Sequence, residues 1–71
     1  MSASLDRIAA KLADETMEIM KTSGNDRFFM EVAQIIGASS QTLEEAYLTE
    51  VRIRLAARQA LQFIRKHKDG A

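Results

Sequence analysis

Apolar residues recur every three to four positions along most of the chain, which is the spacing of one face of an α-helix. The first such segment covers about residues 4–22 and keeps its charged residues on the opposite side. Its apolar side consists of Leu5, Ile8, Ala9, Leu12, Ala13, Ile19 and Met20, together with Thr16. The pattern predicts an amphipathic helix that Ser2 or Ser4 caps and that ends at Gly24, a residue able to adopt a left-handed conformation.

A second segment, about residues 26–36, is short and strongly apolar. Asn25 or Asp26 is predicted to cap its start, and Gly37 to close it. Its apolar residues are Phe28, Phe29, Val32, Ala33, Ile35 and Ile36. Because aromatic side chains bury the largest apolar areas, Phe28 and Phe29 are expected to anchor the core, and this helix to be the most buried of the three.

The third segment, about residues 40–67, is predicted to be one long helix, since Ser39 to Lys68 contains neither Gly nor Pro. Ser39, Ser40 and Thr42 can cap its start, and Thr42 with Glu45 has the spacing of a capping box. At about 1.5 Å per residue the helix would be roughly 40 Å long, which is more than so small a chain can cover by itself. We therefore expect it to mediate oligomerisation.

This long helix has two apolar sides. One, the outer stripe, runs along its whole length and consists of Ala46, Ile53, Ala57, Ala60 and Ile64. The other lies in the first half only and consists of Tyr47, Leu48, Val51 and Leu55. Because the outer stripe has the alternating spacings of helix–helix contacts, it is predicted to be an oligomer interface together with Phe63. A contact of Phe63 with a core folded back locally is the alternative.

The patterns together predict an all-α fold: a single helical domain over residues 1–71, built as a three-helix unit. This unit is expected to oligomerise through the third helix and the leftover face of the first. With 71 residues the chain can form only a small core, so association is expected to stabilise it. The absence of cysteine excludes disulfides, a thiol nucleophile and Cys-ligated metals. Acidic residues near the N-terminus and the lack of a long apolar run favour a cytoplasmic protein with no membrane role.

The formal net charge is zero, but the charges are unevenly distributed. Residues 1–50 hold four basic and nine acidic residues, whereas residues 51–71 hold six basic residues and one acidic residue. The candidate nucleic-acid contacts are Arg54, Arg58, Arg65, Lys66 and Lys68. Such a cluster can track phosphates and predicts weak, sequence-tolerant binding to DNA. The alternative is a solvated face whose arginine stems cover apolar surface.

The junction between the second and third segments contains the pattern Ala33-x-x-x-Gly37-x-Ser39, followed by Thr42 and Leu43. This pattern resembles the helix-turn-helix motif of DNA-binding proteins. The resemblance implies that Ala33 permits close crossing of two helices and that Gly37 makes the turn with a positive φ.

The sequence departs from the helix-turn-helix motif where a recognition helix would meet DNA. Gln41, Glu44 and Glu45 occupy those positions, and carboxylates are repelled by phosphates. A motif of this kind that feeds a long oligomerising helix is similar to the small terminase subunits of tailed phages and phage-like particles. That resemblance implies ring assembly, no catalytic site, and a role in helping a packaging ATPase to take up DNA.

The predicted function is therefore that of a non-enzymatic, oligomeric helical adaptor associated with DNA, with a DNA-packaging subunit as its most specific form. The alternative is a protein–protein interaction module or regulator with no nucleic-acid role. Catalytic, cofactor-binding and metal-binding residues are not predicted, because His67 is the only histidine and P-loop, GxGxxG and GxSxG motifs are absent. Possible partners are copies of the chain, DNA and a larger protein such as a packaging ATPase.

Overall fold

The chain folds into three helices joined by two short turns. The computed structural model describes the backbone of residues 2–70 and the side chains of residues 2–68. Helix α1 spans Ala3–Ser23, helix α2 spans Phe28–Gly37 and helix α3 spans Gln41–Gly70. The prediction of an all-α fold with three helices is confirmed, and the described residues contain no strand.

Helix α1 has the ends that its sequence predicts. The Ser2 hydroxyl oxygen accepts a hydrogen bond from the Leu5 amide at 3.3 Å, which satisfies one of the free N–H groups of the first turn. At the other end, Gly24 has φ 71° and donates its N–H to the Met20 carbonyl at 3.1 Å. A residue with a Cβ would be strained in this left-handed conformation, so glycine fixes where α1 stops.

Helix α2 begins later than the sequence suggests. The Asn25 side-chain oxygen accepts from the Arg27 amide at 3.1 Å, two residues ahead, and thereby folds the turn before the helix. Arg27 occupies the N-cap position and makes no capping hydrogen bond with its side chain. The prediction that Asn25 or Asp26 caps α2 is therefore wrong, because the asparagine is used in the preceding turn.

The junction of α2 and α3 is built without a left-handed residue. Gly37 belongs to α2, and among the described residues the positive-φ glycine is Gly24. The predicted positive φ at Gly37 is thus wrong. The Glu44 carboxylate occupies the space beside Gly37: a Cβ added there would lie 2.7 Å from one of its oxygens, so this side-chain end would have to move.

Ser40 is the residue that caps α3. Its hydroxyl oxygen accepts from the Leu43 amide at 3.1 Å, and its own N–H donates to the Ile36 carbonyl at 2.8 Å. Thr42 lies inside α3, so its spacing from Glu45 does not act as a capping box. The sequence offered three possible caps, and the position of the turn selects Ser40.

The core lies where small residues of α1 and α2 meet large residues of α3. Its fully enclosed members are Ala13, Ala33, Tyr47 and Val51. Partly buried apolar residues packed against them are Leu12, Phe29, Val32, Ile36, Leu48 and Leu55. Alanine at the crossing points lets the helix backbones approach closely, and Tyr47 fills the space between them.

Helix α2 packs against the core, but its aromatic pair does not form the enclosed centre: Phe29 contacts the core while only half-buried. Ala33 is its one buried residue, Phe28 and Phe29 are half-buried, and Ile35 is 75% exposed. The reason is geometric. A ten-residue helix that is apolar nearly all round can turn only one side toward the two longer helices.

A hydrogen bond in the core joins α1 to α3. The hydroxyl groups of Thr16 and Tyr47 lie 2.7 Å apart, and the Thr16 hydroxyl donates to the Leu12 carbonyl at 2.8 Å. Since Thr16 has one hydroxyl hydrogen, Tyr47 is the donor to Thr16. Burial raises the pKa of Tyr47 above its ordinary value.

Candidate interaction surface

The second half of α3 is not covered by the rest of the chain. Every side chain from Ala56 to Lys68 is exposed, and we call this segment the exposed half. It includes three large apolar side chains, of which Leu61 is 45%, Phe63 64% and Ile64 58% exposed. By contrast, the first half of the same helix contains the fully buried Tyr47 and Val51.

The outer stripe lies on the surface along most of α3. Ile53 is 56% exposed, and Ala57 and Ala60 are also exposed. Ala46 differs because it is half-buried and lines a groove between α1 and α3 with Leu5. The stripe residues from Ile53 onward are therefore accessible to another molecule, whereas Ala46 is partly covered by α1.

Phe63 contacts the next turn of its own helix. Its ring centroid lies 4.3 Å from that of His67, with the two planes tilted by 39°. The His67 Nδ1 atom lies 3.2 Å from the Phe63 carbonyl oxygen. This local contact leaves most of the phenyl ring in water, so Phe63 is available to a partner and takes no part in the core.

Arg54 is separated from the other predicted nucleic-acid contacts by its own ion pairs. Its guanidinium lies 2.8 Å from Asp14 of α1 and 2.7 Å from Glu50 one turn earlier. It also donates to the Glu50 carbonyl at 3.0 Å and to the Ala10 carbonyl at 3.5 Å. The hydrogen bonds that Arg54 donates to Glu50 and Asp14 raise its pKa. Arg54 thus links α1 to α3 inside the chain.

The four remaining basic candidates, Arg58, Arg65, Lys66 and Lys68, are exposed. Arg58 and Arg65 line an open cleft between the ends of α1 and α3, and Lys21 and Asp26 line it with them. Lys21 was not predicted to belong to this cluster. The sequence places Lys21 in the last turn of α1, but only the packing of α1 on α3 brings Lys21 near Arg58.

Arg58 also borders acidic residues of α1. A second surface depression beside it is lined by Asp14, Glu15 and Glu18. The basic surface is therefore concentrated toward Arg65, Lys66 and Lys68 at the end of α3, while the middle of α1 presents carboxylates.

Helix α1 has an exposed apolar face beside the sector that packs into the core, where the sequence predicts a leftover face for oligomerisation. Its buried residues are Ala9, Ala13, Thr16 and Met20. Ile8 is 50% exposed and Ile19 is 45% exposed, on one edge of the predicted apolar side. The core-facing sector of α1 is thus narrower than its apolar sector, and the remainder forms a surface.

Residues 2–68 hold no cluster of three or more His, Cys, Asp or Glu side chains arranged for a metal ion. Within the described part of the chain, no helix combines the length and apolarity needed to cross a bilayer. Comparisons with protein-family models, curated proteins and solved structures find no match. The surfaces described above are therefore the basis for a functional proposal.

Proposed function

We propose that this protein is a non-enzymatic helical interaction module that assembles with copies of itself through α3. The observation that carries the proposal is the exposure of every side chain from Ala56 to Lys68. Enclosing a large apolar side chain contributes about 1.5–3 kcal/mol relative to leaving it in water. Leu61, Phe63 and Ile64 are about half exposed, so they make only part of this contribution within the single chain, and a partner helix would supply the rest.

Charge favours a second copy as the partner. The region before α3's midpoint is acidic and the region after it is basic, so each chain carries both members of a complementary pair of surfaces. Ala57 and Ala60 also present a low surface between Ile53 and Ile64, which lets another helix approach closely. These features support self-association more directly than binding of an unrelated ligand.

Sedimentation equilibrium at micromolar concentration tests the proposal. We expect a mass above that of one chain for the native sequence, and a mass reduced toward one chain for Ile53→Asp, which places a carboxylate in the outer stripe. Gln59→Asp is the matched control, since it adds the same charge to an exposed position on another side of α3. Because Ile53 is 56% exposed, the single chain should keep its helical circular dichroism. A native mass of one chain would contradict the proposal.

A second candidate function is the DNA-associated adaptor of the small terminase type. The observation that favours it is the exposure of Arg58, Arg65, Lys66 and Lys68 within one stretch of α3. Phosphate contacts from such residues give weak, sequence-tolerant binding, and an assembly of several copies would raise its avidity. Arg54 is not included, because Asp14 and Glu50 already neutralise it.

Titration of a long duplex at several salt concentrations tests this second candidate. We expect Arg58→Ala with Arg65→Ala to weaken binding to all duplexes alike and to flatten the salt dependence. Arg54→Ala is the control and should leave affinity nearly unchanged. An assembled protein that fails to shift a long duplex at low salt would remove the DNA role and leave a protein interaction module.

A further inference from the structure

We infer that the outer stripe of one copy packs, in parallel orientation, on the face of α1 that carries Ile8 and Ile19 in a second copy. The inference rests on the proposed self-association. It adds which surface receives the stripe and in which direction the two helices run.

An exposed isoleucine pair on α1 and another on α3 have the same spacing. Ile8 and Ile19 are eleven residues apart on α1, and Ile53 and Ile64 are eleven residues apart on α3. Eleven residues are about three helical turns, so each pair lies on one face with its members about 16 Å apart. All four side chains are between 45% and 58% exposed. Two apolar faces of equal length are thus left open on different helices.

The outer stripe and the face of α1 that carries Ile8 and Ile19 are complementary in shape. Between its isoleucines the outer stripe has only Ala57 and Ala60, so its middle is low. Between Ile8 and Ile19, α1 carries the longer side chain of Glu15, which is exposed. The methylene stem of Glu15 can cover the alanines while its carboxylate stays at the rim in water.

The charges beside the two faces decide whether the two helices run parallel or antiparallel. In a parallel pair, Ile19 lies opposite Ile64, which brings Glu15 and Glu18 near the basic end of α3. In an antiparallel pair, Ile8 would lie opposite Ile64, and the exposed Arg7 and Lys11 would approach that basic end instead. Like charges brought together are unfavourable, so the parallel direction is selected.

A contact in which one surface of a copy packs on a different surface of the next copy is heterologous. Successive copies then add in one direction, and they form a ring where the rotation between them closes. This arrangement differs from a two-fold dimer in which two outer stripes pair with each other, and the two arrangements place different residues side by side.

Disulfide cross-linking of single-cysteine variants tests the inference, since the native chain contains no cysteine. Copies with Ile19→Cys are mixed with longer, tagged copies with Ile64→Cys and gently oxidised. We expect the mixed cross-link to form several-fold more than with Ile8→Cys and Ile64→Cys. Glu31→Cys on α2 serves as an exposed control that should not cross-link to Ile64→Cys above background. All these positions are exposed, so replacement does not empty the core; circular dichroism and sedimentation of each variant check this.

The possible results distinguish the parallel packing of the outer stripe on α1 from self-association in general. A dominant cross-link between Ile8→Cys and Ile64→Cys, or between two Ile64→Cys copies, would overturn the arrangement while leaving self-association intact. A native protein that assembles, with variants that assemble but show no mixed Ile19–Ile64 cross-link, would do the same. A native protein that sediments as one chain would overturn both.

Discussion

The two halves of α3 belong to one continuous helix but are held in place differently. In the first half, Tyr47 and Val51 are fully buried against α1 and α2. In the second half, from Ala56 to Lys68, no side chain is buried. The second half is rich in Ala, Leu, Gln, Arg and Lys, which have high intrinsic helix propensity. Local preference therefore sustains the second half, and tertiary packing stabilises the first.

The comparison also separates the tasks of the two halves. The first half completes a small core and is needed for the chain to fold. The second half contributes little to that core, so its apolar and basic side chains are available for recognition. Similar residue types thus have different consequences on the two halves: Tyr47 is a core residue and Phe63 a surface residue.

Replacing these two aromatic residues should have the most unequal effects on stability. Tyr47→Ala removes the largest enclosed side chain and should destabilise the fold by about 3–5 kcal/mol, enough to unfold much of a small domain. Phe63→Ala should change the free energy of unfolding by no more than about 0.5 kcal/mol at concentrations where the chain is monomeric. Urea denaturation followed by circular dichroism measures both, and equal losses would show that the exposed half belongs to the folding unit.

The hydrogen bond between Thr16 and Tyr47 is expected to stabilise the first half of α3 against α1. Thr16→Val leaves the buried Tyr47 hydroxyl without its acceptor and should cost about 1–3 kcal/mol. Tyr47→Phe should cost less, because Thr16 keeps the Leu12 carbonyl as a partner. The double variant should then be more stable than the sum of the two losses predicts, and Thr16→Ser should be close to native. Additive losses in thermal unfolding would mean that the two hydroxyls are not coupled.

The smallest expected difference concerns two arginines on either side of the midpoint. Arg54→Ala removes a partly exposed ion pair with Glu50 and a second pair with the mostly exposed Asp14, and should destabilise the fold by about 0.5–1 kcal/mol. Arg58→Ala should have a smaller effect on unfolding. The difference should shrink as salt is added, because salt screens the pairs near the surface. A larger loss for Arg58→Ala would place the boundary of the folding unit further along α3.

Much of the local structure follows from sequence patterns. The three helices follow from apolar periodicity and from the glycine and serine residues between them. The cap of α1 at Ser2 and its left-handed end at Gly24 also follow, because each depends on residues within one turn. Phe63 and Ile64 were predicted to lie on an open face of α3, whereas the exposed Leu61 was not.

Packing decided the rest. The packing of the helices determines which part of the apolar sector of α1 is buried. It also determines how far Phe28 and Phe29 are covered and which partners Arg54 finds. The Glu50–Arg54 pair is visible as a spacing of four residues, whereas Asp14 is forty residues away from Arg54 and reaches it only after folding. Gly37 shows the same limit: the sequence predicted a positive φ, but in the fold Gly37 is the last residue of α2 and the Glu44 carboxylate lies beside it. Helix periodicity and capping depend on residues close in sequence, so they can be predicted from it. Burial depends on how the three helices pack around one small core.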